Sequence, residues 1–222
     1  MKRENQDGAV AGYRVLDRGF YMSGAVSLAR RLLGMILVSS LPDGVASGRI
    51  VETEAYAGRD DAACHSYGMS AKDPLRRTAP MFEAGGHAYV YLIYGMYCCF
   101  NAVANAPGEP EAVLIRALEP MEGISLMSGR RRVHDVELKR ESGLKKLCSG
   151  PGKLAMALGI SVAWNGLDLT RGKGLFIAQG DEVPEGGVLA TPRINVDYAG
   201  EAAFYPYRFI IAGSKYLSRR RR

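Results

Sequence analysis

Glu52 and Glu54 stand two residues apart in RIVETEAY, residues 49–56. In a strand, side chains alternate with period two, so Ile50, Glu52, Glu54 and Tyr56 are expected on one face. Two carboxylates beside isoleucine and tyrosine are costly unless they are paired or solvated. Two readings follow: an edge strand salt-bridged to arginines, or a general base held in a partly apolar cleft. Arg116 lies in VLIRALEP, residues 113–120, an otherwise apolar strand. A buried arginine needs a carboxylate or another strong partner, and Glu52 or Glu54 would serve. Together they would form an Arg–Glu site with no metal and no nucleophilic serine or cysteine, although pairing for stability alone stays open. His65 has no second histidine at helical spacing, and His87 and His134 stand far off. Cys64, Cys98, Cys99 and Cys148 form no CxxC pair, so no metal site is expected.

A different signal lies in YVYLIYGMYCCFN, residues 89–101. It alternates like a hairpin that turns on Tyr94-Gly95. Tight hairpin loops need residues tolerant of positive φ, which Gly95 satisfies. A tyrosine beside it gains nothing from water, so either the chain or an outside partner must cover the tip. Tyr89 and Tyr97 read by default as core. An exposed aromatic wedge on a basic protein suits insertion into a DNA base stack. CSGPGKL, residues 148–154, resembles a phosphate-contacting loop at a helix N-terminus with Lys153 at hand, but it is not GxxxxGK[ST].

The elements that must position these residues are legible in outline. Residues 23–33 read as a helix with Ser23 as N-cap and Val26, Ala29, Leu32 and Leu33 on one face. Residues 35–41 and 48–56 read as strands joined through Pro42-Asp43-Gly44. Residues 60–86 form a long aperiodic loop, a length usually reserved for function. Strands are expected at 112–117, 175–178 and 209–211, and helices at 120–132 and 153–158, the latter opened by Ser149-Gly150-Pro151. Residues 133–146 could be helix or linker. These elements make one domain of the mixed α/β (α+β) class with mostly antiparallel strands, residues 17–218. A flexible leader is expected over 1–16 and a basic tail over 219–222.

The 222 residues are 47% hydrophobic and 23% charged, an ordinary globular composition. The 29 basic residues exceed the 23 acidic ones, a formal charge of +6. That excess, with basic clusters at Arg30-Arg31, Arg76-Arg77, Arg130–Arg132, Lys145-Lys146 and 219–222, favours a polyanionic partner. With no signal peptide and no long apolar run, an intracellular protein with reduced thiols is expected.

RIVETEAY, the loop ending in His65-Ser66, YVYLIYGMYCCFN, VLIRALEP, CSGPGKL and RINVDYAGE occur here in this order. In this the chain resembles the alkyladenine (3-methylpurine) DNA glycosylases over nearly its whole length. The resemblance implies a curved, open-barrel-like sheet from which the hairpin projects into the DNA minor groove. It implies that Glu54 deprotonates the attacking water and that Arg116 helps hold that water. Tyr56, His65 and Tyr91 would wall the flipped base, and Asn101 would crowd the amine of normal guanine. Tyr94, flanked by Met96, would intercalate, with Arg77 and Lys153 also at the DNA. The implied partner is duplex DNA carrying alkylated or deaminated purines, bound by a monomer without cofactor, metal, membrane or lyase step. Thr78 stands where relatives tend to have asparagine, and Asn195 and Asp197 interrupt a stretch that is often glycine-rich. A non-catalytic minor-groove protein that kinks DNA with Tyr94 is the alternative. It would have no use for a DNA-facing carboxylate at Glu54. An RNA-binding module fits less well, because a projecting wedge suits a DNA duplex better than A-form RNA.

Overall fold

A computed structural model describes residue 10 and residues 12–69, 77–134 and 138–218. The 219–222 tail and most of the expected leader (1–9 and 11) lie outside the described residues. So do Arg76 and residues 135–137. From Val10 the leader is packed: Tyr13 Oη bonds Ser47, and Leu16 N–H donates to Ile177 O at 2.9 Å.

Among the described residues, eight antiparallel strands form one curled sheet. They are β1 (Ile36–Leu41), β2 (Gly44–Tyr56), β3 (Ala88–Ile93), β4 (Tyr97–Ala104), β5 (Glu111–Glu122), β6 (Leu175–Ala178), β7 (Val188–Thr191) and β8 (Arg208–Ile211). Their order is β3-β4-β5-β2-β1-β6, with β8 also on β2 and β7 on β8. β2 is therefore shared: its first half pairs with β1, and residues 52–54 pair with β8. The switch coincides with register shifts against β5 between Ile50 and Thr53, and such bulges bend a strand and increase its twist.

The bulge corrects one expectation. Ile50 does not share a face with the glutamates. It packs in the main core, while Val51 joins Ala117, Ile210 and Leu217 on the other side. An extra residue in a strand reverses the alternation beyond it.

Among the described residues, five α-helices cover the core: α1 (Arg18–Tyr21), α2 (Ala25–Arg31), α3 (Ile124–Arg131), α4 (Glu141–Cys148) and α5 (Pro151–Ala157). Ser23 is not the cap of α2. Gly24 holds that place, and Glu111 Oε2 accepts from Ala25 N–H at 2.6 Å from across the fold. The buried stripe of α2 is Ala25, Leu28 and Ala29, with Val26 only partly covered. The helix expected from residue 120 begins later, because β5 runs through Pro120 to Glu122. Pro120 sits opposite Gly48 at a register shift, where a missing N–H is tolerated. Gly123 then turns the chain at φ +73°, with Val45 O where a Cβ would stand, so only glycine fits.

The hairpin of β3 and β4 pairs from Ala88–Ala102 out to Ile93–Tyr97, whereas β4 pairs with β5 only from Asn101 onward. Its outer part therefore projects beyond the sheet. The loop has three residues, not two: Tyr94 at φ +53°, Gly95 at +69°, and Met96. Next to the hairpin loop, Tyr97 Cβ leaves only 3.0 Å for a Cβ on Gly152 of α5, so the helix start and the outer hairpin are closely fitted.

Candidate active site

Strand register assembles the site. Tyr89 lies opposite Asn101, Asn101 opposite Leu114, Leu114 opposite Glu54, and Glu54 opposite Arg208, one row across five strands. Ala112 is flanked by Val103 and Tyr56 in the next row. These rows floor a cleft of about 660 Å³, a volume typical of small-ligand pockets. His65 and the 194–198 segment close its sides, and Pro151 and Gly152 of α5 reach its rim. Of the expected site residues, Tyr56, His65, Arg77, Tyr91, Tyr94, Asn101 and Arg116 line it. Glu54, Met96 and Lys153 do not.

Glu54 is fully buried in the wall immediately behind the cleft surface. Its Oε2 accepts from Tyr56 Oη at 3.0 Å and from Arg116 Nη1 at 3.0 Å. Among the described residues its Oε1 accepts Ile194 N–H alone, at 2.7 Å. All three partners line the cleft, and Oε1 keeps a lone pair free. Glu52 differs. Its Oε1 accepts from Arg116 Nε (3.1 Å), Arg208 Nε (2.8 Å) and Ser218 Oγ (2.7 Å), and Oε2 accepts Ser218 N–H at 2.6 Å. Burial works to raise the Glu52 pKa, but the two guanidiniums and the Ser218 N–H outweigh it and hold the carboxyl below its usual range. Glu52 is the saturated counter-ion, and Glu54 is the carboxylate with capacity to spare. Arg116 is likewise held charged: burial would lower its pKa, but Glu54 and Glu52 raise it further.

Three rings form the apolar walls. His65 and Tyr91 meet edge to face with centroids 4.6 Å apart, and His65 Nδ1 lies 2.8 Å from Tyr89 Oη. Burial, with Arg77 adding to it, pushes the His65 pKa down, so the imidazole is neutral at pH 7. Burial pushes the Tyr56 and Tyr91 phenols up, so both stay protonated. Tyr56 makes no ring contact with either among the described residues; Arg193 lies over its ring instead. Asn101 is held by Nδ2 donating to Tyr89 O at 3.0 Å.

At the rim, Tyr94 is 78% and Met96 67% exposed. Among the described residues, none covers the tip. Lys153 is exposed on α5; desolvation, then Arg131 and Lys145, hold its pKa below the ordinary lysine value. These cations gather beside the rim residues of α5.

Arg193 and Asp61 are the residues that sequence reasoning missed. Both lie in stretches singled out for other reasons, and only the fold shows them paired. Asp61 also accepts from Ala57 and Ala63 N–H, fixing the start of the loop that carries His65. The only available signal was a buried-arginine argument like the one applied to Arg116, but RINVDYAGE has too little apolar context to prompt it.

The model of the methylpurine-DNA glycosylase family matches residues 19–215. A Methanocella arvoryzae protein is 47% identical over 210 residues, 93% of this chain and 96% of the relative. A Bacillus cytotoxicus protein is 47% identical over 208 residues, 90% and 97% respectively. A Desulfitobacterium hafniense protein is 42% identical over 203 residues, 91% and 98%. All three are named, provisionally, as 3-methyladenine DNA glycosylases. The chain belongs to the methylpurine-DNA glycosylase family.

Proposed function

We propose that this member of the methylpurine-DNA glycosylase family takes an alkylated or deaminated purine, flipped out of duplex DNA, into the cleft and hydrolyses its N-glycosidic bond. The observation that carries this reading is Glu54, buried and, among the described residues, bonded only to groups that line the cleft. Water bound to the open side of Oε1 attacks C1′ of the flipped nucleotide. Glu54 takes the water's proton as the C–O bond forms, and the bond electrons leave with the purine. For a base alkylated at N3 or N7 that pair neutralises the ring's positive charge, so no acid is needed; a neutral purine must also gain a proton. Arg116 orients Glu54 and faces the water.

The base stacks between Tyr56 on one side and Tyr91 with His65 on the other. A cationic purine gains cation–π attraction from such rings. Asn101, fixed by its bond to Tyr89 O, crowds the position where guanine carries an amine. Tyr94 enters the minor groove with Met96 beside it, and Arg77 and Lys153 meet phosphates. The working unit is a monomer.

Duplexes each carrying one 7-methylguanine, hypoxanthine or ethenoadenine test the reading. Release of a free base and an intact abasic strand is expected from at least one of them. Release from none would end it. Among the described residues no cluster of three metal-ligating side chains exists and no lysine lines the cleft. Activity should therefore survive EDTA, and borohydride should trap no protein–DNA adduct. Loss on chelation restored by zinc, or a trapped adduct, would refute the hydrolytic, metal-free scheme.

Affinity for DNA should fall with salt at a log–log slope of about −0.9 per phosphate neutralised. Lys153→Ala should weaken binding to damaged and undamaged duplex alike and flatten that slope by roughly one contact. An unchanged slope would remove Lys153 from the interface.

A further inference from the structure

Arg193 is a cation with a fully buried side chain behind the wall of the cleft. Its Nη1 donates to Ala55 O at 2.9 Å and to Asp61 Oδ2, and its Nη2 donates to Asp61 Oδ1 at 2.8 Å and Ala202 O at 3.0 Å. These bonds hold the guanidinium carbon 4.9 Å from the Tyr56 ring centroid and 5.4 Å from that of Tyr207. Nε–H is buried without a hydrogen-bond partner among the described residues. Leaving a buried donor unpaired is unfavourable, so contact with the two rings, as well as hydrogen bonding, decides how the plane sits.

Tyr56 lines the cleft and Arg193 does not. The guanidinium therefore covers the ring face turned away from the cleft. A cation over an aromatic face is attracted by the ring's quadrupole. A second cation on the opposite face meets that ring and also the first charge beyond it. Asp61 offsets the charge, but it is bonded at the terminal nitrogens while the guanidinium carbon lies over the ring.

We propose that the Arg193–Asp61 pair sets lesion preference: positive charge held against the hidden face of Tyr56 lowers the preference for cationic, N-alkylated purines relative to neutral damaged purines. This rests on the reading that the flipped base stacks on Tyr56. It gives Tyr56 a task beyond shape, because the same ring faces a fixed cation on one side and a variable substrate charge on the other.

The test is the ratio of single-turnover excision rates for 7-methylguanine (cationic) and hypoxanthine (neutral) in otherwise identical duplexes. Asp61→Asn leaves the arginine charge uncompensated and should lower the cationic-to-neutral ratio by about two- to fivefold, the scale of one cation–π contact. The double variant R193Q/D61N removes both charges and should raise the ratio by about the same factor. Arg193→Lys keeps the charge and should stay on the wild-type side of the double variant. Thermal melts identify which variants are folded at the assay temperature. Opposite shifts for D61N and R193Q/D61N carry the proposal. Should the double variant not fold, the fall in D61N against a retained ratio in R193K carries it. An unchanged ratio in folded D61N overturns it, as do shifts of the same sign in both charge variants, since misplacing Tyr56 would slow both lesions alike. If the wild-type enzyme releases neither of these bases nor ethenoadenine, the stacking reading itself has failed rather than the charge assignment.

Discussion

Glu54→Gln abolishes base release and leaves damaged duplex bound as tightly as before, or more tightly. The amide cannot take a proton from water, and general-base catalysis is worth about 10²- to 10⁴-fold. Binding is spared because the substitution removes a negative charge near DNA. The fold should weaken: Glu54 receives three hydrogen bonds, and an amide presents an N–H₂ to at least one of those donors. An unsatisfied buried group costs roughly 1–3 kcal/mol, so a lower melting point is expected, with the protein folded at the assay temperature. The check pairs single-turnover base release with equilibrium binding to the same lesion duplex. A variant releasing base within tenfold of wild type would remove Glu54 from the role of base.

Tyr94→Ala lowers the flipped population by tens-fold without loosening the protein. Extrusion costs a few kcal/mol, and an aromatic ring stacked in the vacated gap returns about 1–3 kcal/mol. In the free protein the ring is 78% exposed at the tip of a projecting hairpin, so removing it deletes almost no packing. Its φ of +53° is one that bulky side chains seldom adopt. Tyr94→Gly should therefore be as stable as the parent or more so, yet as poor at flipping as the alanine variant. 2-Aminopurine beside the lesion reports unstacking, and thermal melting of the free enzyme reports stability. Normal flipping with a melting point many degrees lower would make Tyr94 a core residue and end the wedge reading.

These two residues show what the sequence made legible. A tyrosine at a hairpin corner cannot be covered by its own strands, so position alone raised the question of what covers it, and the fold answers that the ring is exposed. Arg116 in an apolar strand demanded a carboxylate, and the fold supplies both candidates, Glu52 and Glu54. What distinguishes them is not local. Arg208 and Ser218, far along the chain, saturate Glu52, and no motif around RIVETEAY encodes that. The side of the sheet that Ile50 faces was misread for a related reason: a bulge depends on the partner strand as much as on its own residues. The close spacing of Met121, Ile124, Leu126 and Met127 suggests a helix from Pro120, but a register shift lets β5 carry the proline to Glu122, and Ser23 loses the cap position because Glu111 serves the helix start from across the fold. Arg193 and Asp61 stayed hidden because each lies in irregular chain, where periodicity says nothing about burial.

The bonds from Ser218 to Glu52 carry a consequence for biosynthesis. The carboxylate and its clamp are 166 residues apart in sequence, among the longest-range contacts of the fold. Domains fold as units while the chain emerges, and contacts between distant residues close late because the intervening loop must be ordered first. On the ribosome, a chain that has already made its sheet and helices still holds an incompletely paired Glu52 next to Arg116. The charged group beneath the cleft is thus completed only after Ser218 has been synthesised, which couples the integrity of the catalytic wall to the arrival of a segment made long after it.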